Sequence, residues 1–247
     1  MAEKKYTPMM QHYLKMKEEN PDAILFYRLG DFYEMFFDDA KLVSQELDLV
    51  LTGRSAGVEE KVPMCGVPFH AANSYISRLV KKGYKVAICE QLEDPSNAKG
   101  LVDRGIVKIV TPGTYMDSTM DAKTTNYMAS CDISSFEITV VYCELSTGEL
   151  KYQTLQRSLV ALQKALLEQN VSELVCPMAM DKKWMSALEE METILISKHK
   201  KSSVDSQDLP LLNGIESESL KEAFALLMAY LKDTQKQRID HFLPIES

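Results

Sequence analysis

Gly30-Asp31-Phe32-Tyr33-Glu34-Met35-Phe36-Phe37 is the stretch on which the reading of this chain turns. A run so rich in large apolar residues reads as a core strand. Residues 24–29 before it read as a second strand, and Gly30-Asp31 as the turn between them, so a β-hairpin is predicted over residues 24–37. Side chains alternate along a strand, which puts Tyr33, Met35 and Phe37 on one face and Phe32, Glu34 and Phe36 on the other. The first is a plain core face. The second sets an acceptor-only anion two residues from an aromatic ring. That is a poor core, but it suits a partner that can be both stacked upon and hydrogen-bonded, such as a nucleobase. The competing reading makes Phe32 a core aromatic and Glu34 a helix-capping or solvated acid.

Working outward, Thr7-Pro8 marks a helix start, with a capping hydroxyl followed by proline at the first helical position. Asn20-Pro21 ends that helix. After the hairpin, Asp38 or Asp39 is expected to cap a second helix running through Leu47. A short strand is expected over 49–52, a polar loop over 53–61, and a turn-rich path over 62–69. A helix over about 71–82 stops at Gly83, and strands are predicted over 84–92 and 105–110. Residues 113–125 are polar and aperiodic, which places a domain boundary there: residues 1–113, a linker over 114–126, and residues 127–247. The second half reads as three antiparallel strands (127–133, 137–145, 149–155), followed by helix 158–169, strand 173–176, helix 181–191 and strand 193–198. An amphipathic helix over 217–232 and a strand-like 240–245 complete the pattern. Three antiparallel strands followed by α/β alternation is the order of the ribonuclease H-like fold. The fold class is therefore α/β in two domains, a mixed sheet with surrounding helices and then a ribonuclease H-like domain. Nothing closes the fold at residue 247, so the chain is expected to be the N-terminal piece of something longer.

The 247 residues suffice for one large or two ordinary domains, and no apolar run approaches membrane-spanning length. The opening Met-Ala-Glu-Lys-Lys has no apolar segment behind it, so no signal peptide is expected and the location is expected to be cytoplasmic. Five scattered cysteines (Cys65, Cys89, Cys131, Cys143, Cys176), with no Cys-x-x-Cys pair, read as reduced, mostly buried thiols rather than a zinc site. The net charge of −8 argues against a general nucleic-acid binder, but it is uneven. Residues 1–110 carry 15 Lys/Arg against 16 Asp/Glu; residues 111–247 carry 13 against 20. A modest basic stretch (Arg78, Lys81, Lys82, Lys85, Lys99, Arg104, Lys108) lies in the first half, so only that half is suited to approach phosphates.

Six segments together carry a resemblance. They are Thr7-Pro-Met-Met, Phe26-Tyr-Arg-Leu-Gly-Asp-Phe-Tyr-Glu, Asp38-Asp-Ala, Val62-Pro-Met-Cys-Gly-Val-Pro-Phe-His, Ala87-Ile-Cys-Glu-Gln-Leu and Val110-Thr-Pro-Gly-Thr. The chain resembles the bacterial MutS family of DNA mismatch sensors, closely to residue 114 and more loosely beyond, where Leu231-Lys-Asp-Thr-Gln is the best landmark. The resemblance implies a mismatch-binding domain followed by a connector domain. It implies that Phe32 wedges into the duplex and stacks on the mispaired base while Glu34 hydrogen-bonds that base. Arg28, Leu29, Asp31, Arg54, Met64, Lys81 and Lys82 are further candidates for DNA contact, with ordinary surface or core roles as the alternative. The implied partners are mismatched double-stranded DNA, MutL and a second copy in a homodimer, with no membrane; the implied setting is the nucleoid. ATP and Mg²⁺ are expected for the longer parent and no cofactor for this chain, which contains no Gly-x-x-x-x-Gly-Lys-Ser/Thr. Leu29, Cys65 and Phe69 stand where the family more often has methionine, alanine and tyrosine.

Two other functions compete. A metal-dependent nuclease would use Asp132 on the first strand of the second domain, with Glu168 and Glu173 completing the site. A protein-interaction module without DNA contact fits the acidic second half. A relative that binds branched DNA is argued against by the Phe-x-Glu pair itself.

Overall fold

The computed structural model describes residues 6–93, 102–116, 125–236 and 240–247. Met1–Lys5, Lys99 of the basic stretch, and residues 117–124 of the expected linker lie outside the described residues. The chain divides into two compact units, Met1–Thr111 and Pro112–Ser247.

In the first unit, helix α1 (Pro8–Glu19) starts where Thr7 Oγ accepts the Met10 N–H, with proline at the first helical position. Strands β1 (Ala23–Leu29) and β2 (Phe32–Phe36) form the hairpin, with Leu29 opposite Phe32 and Gly30 at φ 59° in the turn. Then follow α2 (Phe37–Leu47), β3 (Thr52–Arg54), β4 (Val62–Pro68), a 3₁₀ turn (Phe69–Ala71), α3 (Ala72–Lys81), β5 (Lys85–Gln91) and β6 (Arg104–Val110). They build one mixed sheet in the order β3-β4-β2-β1-β5-β6, in which β1 and β5 run parallel and every other pair antiparallel. Leu25, Tyr27, Phe36, Ala87 and Cys89 pack with Met10 and Tyr13 of α1 on one face. The other face carries buried Phe26, Tyr33, Met35, Val86 and Ile88; α2 packs on β4 and α3 on β5.

Three expectations need correction here. The strand stops at Phe36, and Phe37, at φ 54°, already opens α2, so Phe37 belongs to no strand face and neither Asp38 nor Asp39 caps that helix. The short strand lies at Thr52–Arg54, not 49–52. Residues 62–68 are not a turn-rich path but strand β4, hydrogen-bonded into the sheet between β3 and β2. The prolines misled because their positions spare the ladder. Phe69 N–H donates to the Asp31 carbonyl at 2.9 Å, and ladder alternation turns the neighbouring Pro68 nitrogen away from β2. By the same alternation the Pro63 nitrogen faces β2 only where β2 has already become α2. The pairs Phe32–Pro68, Glu34–Gly66 and Phe36–Met64 are then those without mutual hydrogen bonds, where side chains lie closest.

In the second unit, β7 (Tyr127–Ile133), β8 (Glu137–Glu144) and β9 (Glu149–Gln156) form an antiparallel meander. Helix α4 (Leu159–Glu168), β10 (Val171–Pro177), α5 (Lys182–Glu189) and β11 (Leu195–His199) follow, then a 3₁₀ turn (Leu209–Leu212) and α6 (Glu218–Gln235). The sheet order is β11-β10-β7-β8-β9, with β10 parallel to both neighbours. Phe224, Leu227 and Leu231 of α6 cover one face. Leu162 and Leu166 of α4, with Met185 and Leu188 of α5, cover the other. The strand-like 240–245 is not a strand: residues 240–247 contribute one isolated bridge, Lys151 to Glu246.

Candidate nucleic-acid interface

Phe32, Glu34 and Phe36 share one face of β2, but α1 divides them. Phe36 is 1% exposed, with the Tyr13 ring edge-on at 4.9 Å, whereas Phe32, at the hairpin end, is 47% exposed. Glu34 sits between them, half-buried, opposite Gly66. A Cβ built on Gly66 would lie 3.5 Å from Glu34 Cγ and 3.3 Å from the Tyr33 carbonyl oxygen, so glycine keeps this position open. The Glu34 carboxylate accepts a charge-assisted hydrogen bond from the Arg54 guanidinium, which reaches it from the end of β3.

On the opposite face, the hairpin end is tied down by a second cluster. The Arg28 guanidinium lies 3.8 Å from the centre of the Phe69 ring and 5.6 Å from that of Tyr33. Arg28 also pairs with Glu90 at 3.6 Å and donates to the Gly30 carbonyl. The Tyr33 hydroxyl donates to Glu90, and burial, then that bond, push the Tyr33 pKa up. The Asp31 carbonyl holds Phe69 N–H. Sequence reasoning noted Phe69 only for a missing hydroxyl. Its stack with Arg28 spans 41 positions of sequence and leaves no local signal.

Thus Phe32, Glu34, Arg28 and Asp31 lie at or beside the hairpin end of the sheet, whereas Arg54 is paired with Val62, about 20 Å along β4 from the Pro68 that faces Phe32, and only its guanidinium reaches back to Glu34. Leu29, opposite Phe32, packs half-buried against the core under α1, and so does Met64, opposite Phe36. Lys81 and Lys82 are not brought to this end. They precede β5, whose first residue Lys85 pairs with Ala23, about 20 Å along the strand from Leu29. Lys82 is paired with Glu46 at 2.7 Å.

The carboxylates named for a nuclease are each engaged separately. Asp132 accepts from Ser219 Oγ at 2.9 Å and pairs with Lys201 at 3.3 Å. Glu168 pairs with Lys164 at 3.5 Å. Glu173 is fully buried and accepts from Gly113 N, Ser197 Oγ and Tyr230 OH at 3.0, 2.5 and 2.5 Å. Among the described residues no group of three His, Cys, Asp or Glu side chains is placed to hold a metal ion, and no helix is long and apolar enough to cross a membrane.

Residues 7–119 match the family model described as MutS domain I. The chain is 46% identical to the DNA mismatch repair protein MutS of Clostridium tetani over 96% of its own length. It is 44% identical to that of Bacillus licheniformis over 98%, and 42% identical to that of a Geobacillus strain over 98%. It spans 28% of the length of each of these curated relatives. Through these matches the chain belongs to the MutS family of DNA mismatch repair proteins, with that family's domain I over residues 7–119.

Proposed function

We propose that this chain is the N-terminal part of a longer mismatch sensor, in which the hairpin end of the first unit tests duplex DNA for bases that can be displaced. Residues 1–113 would be the mismatch-binding domain, 114–126 the linker, and 127–247 a connector of ribonuclease H-like strand order. The connector would relay the DNA-bound state to an ATPase domain elsewhere in the parent and to MutL, within a homodimer in the cytoplasm, at the nucleoid. ATP and Mg²⁺ belong to that other domain, since no phosphate-cradling glycine loop occurs in this sequence. The observation that carries the reading is the half-exposed Phe32 ring beside Glu34 at the end of a sheet.

Inserting an apolar ring unstacks a base step at a cost of a few kcal/mol. That cost is least where pairing is already defective. Phe32 therefore reads deformability rather than sequence, and stacking on the displaced base returns about 1–3 kcal/mol whatever its identity. Stacking discriminates weakly, because it returns similar energy at paired sites. Glu34 adds the discrimination: an anion beside phosphates, left unpaired, costs several kcal/mol unless a displaced base offers a donor.

The test is binding of mismatched and fully paired duplexes by the full-length parent. Phe32→Ala is expected to abolish the preference for mismatches, and Glu34→Ala to lower the ratio of the two affinities. A Phe32→Ala protein that still prefers mismatches overturns the reading.

A further inference from the structure

The geometry points to Arg54 as the group that parks Glu34 in the DNA-free protein and hands it over to a displaced base, rather than as a contact to the phosphate backbone. The inference rests on the reading of Glu34 as the base-binding carboxylate, and deepens it.

Three observations support it. Arg54 reaches Glu34 from β3, two strands away, and forms an ion pair with it on the face shared with Phe32. The pair is lopsided: the Glu34 side chain is 15% exposed and that of Arg54 36%. A carboxylate so covered, at an end meant for DNA, needs a counter-charge while no base is present. Finally, the position facing Glu34 is Gly66, so the acid has room to move without displacing a neighbouring side chain.

The consequence is a competition. On an intact duplex Glu34 stays on Arg54, and the hairpin presents a neutral pair to the phosphates. At a mismatch the displaced base must outbid Arg54 for the carboxylate. Arg54 thus sets a threshold on what counts as displaceable, and is a positioning residue for Glu34.

The test is a double-mutant cycle in the full-length parent, reading the ratio of mismatch to paired-duplex affinity. Arg54→Ala removes the competitor, so the ratio is expected to rise about fivefold, the strength of a partly exposed ion pair. In a Glu34→Ala background the same substitution is expected to leave the ratio unchanged, and Arg54→Lys is expected to return it to within about twofold of the unsubstituted protein. Matched melting curves for the Arg54 variants exclude a folding effect. If Arg54→Ala weakens both duplexes equally, and by the same factor with or without Glu34, Arg54 is a backbone contact and the inference fails while the reading of Glu34 stands. If the ratio falls on Arg54→Ala only when Glu34 is present, the pair persists in the complex and the handover is overturned. If Glu34→Ala alone leaves the ratio unchanged, the reading of Glu34 fails and takes the inference with it.

Discussion

Glu34 and Gly66 face one another across the β2–β4 ladder at a position without mutual hydrogen bonds, so any side chain placed on residue 66 stands against the stem of Glu34. Gly66→Val should crowd that stem while leaving Phe32 untouched. The expected result is a fall of about fivefold or more in the ratio of mismatch to paired-duplex affinity, from strain of about 1 kcal/mol or more. Competition binding with the two duplexes measures it. An unchanged ratio would show that the carboxylate needs no space on this side.

Phe32 and Phe36 lie on the same face of one strand and differ in cover. Phe36→Ala should destabilise the first unit by about 3–5 kcal/mol, because it empties a packed site beneath Tyr13. Phe32→Ala should cost under about 1 kcal/mol, because half of its ring already meets water. Urea unfolding of both variants makes the comparison; equal losses would mean that Phe32 is a core residue after all.

Lys82 is held by Glu46 at the end of the sheet remote from the hairpin. Lys82→Ala should therefore change DNA affinity less than about twofold and leave its salt dependence alone. A true phosphate contact would lower the salt slope by about one. Titrations at three salt concentrations separate the two.

Glu173 collects donors from Gly113, Ser197 and Tyr230 in the interior of the second unit. Glu173→Ala would remove the carboxylate these donors share, and should destabilise that unit by about 3 kcal/mol. Guanidinium unfolding followed by circular dichroism tests this, and a loss below 1 kcal/mol would contradict it.

His12 is held below its ordinary value of 6.5 by burial and by the Arg104 cation. The unfolded chain therefore takes up this proton first as pH falls. Stability contributed by neutral His12 is present above about pH 6.5 and is lost below it. His12→Gln should flatten the stability difference between pH 7.5 and 5.5, as read from urea midpoints. An equal difference in both proteins would assign the dependence to other groups.

The hairpin was legible because its signals are local: Gly30-Asp31 turns, and the alternation beside it is visible in the residues. The elements of the second unit from β7 to α6 were legible for the same reason, each having its own period and its own turn, whereas 240–245 was misread as a strand. Strand β4 was not, because Pro63, Gly66 and Pro68 look like turn residues until the ladder shows that neither proline nitrogen is needed. The site divides likewise. Phe32 and Glu34 stand out as candidates by their spacing, two apart on one strand. The Arg54 and Phe69 contacts depend on strand order, which nothing in the local sequence discloses.

The tie of Arg28 to Phe69 and Glu90 behind the hairpin has a mechanical consequence. A probe on a floppy loop would yield when pressed against a stack of bases, and would report its own softness. Here the tip is braced from behind and continuous with a six-stranded sheet, so in the proposed role the nucleic acid would be the more compliant body. In the proposed role, whatever gives way is the DNA, and the stiffness of the gauge stays out of the measurement.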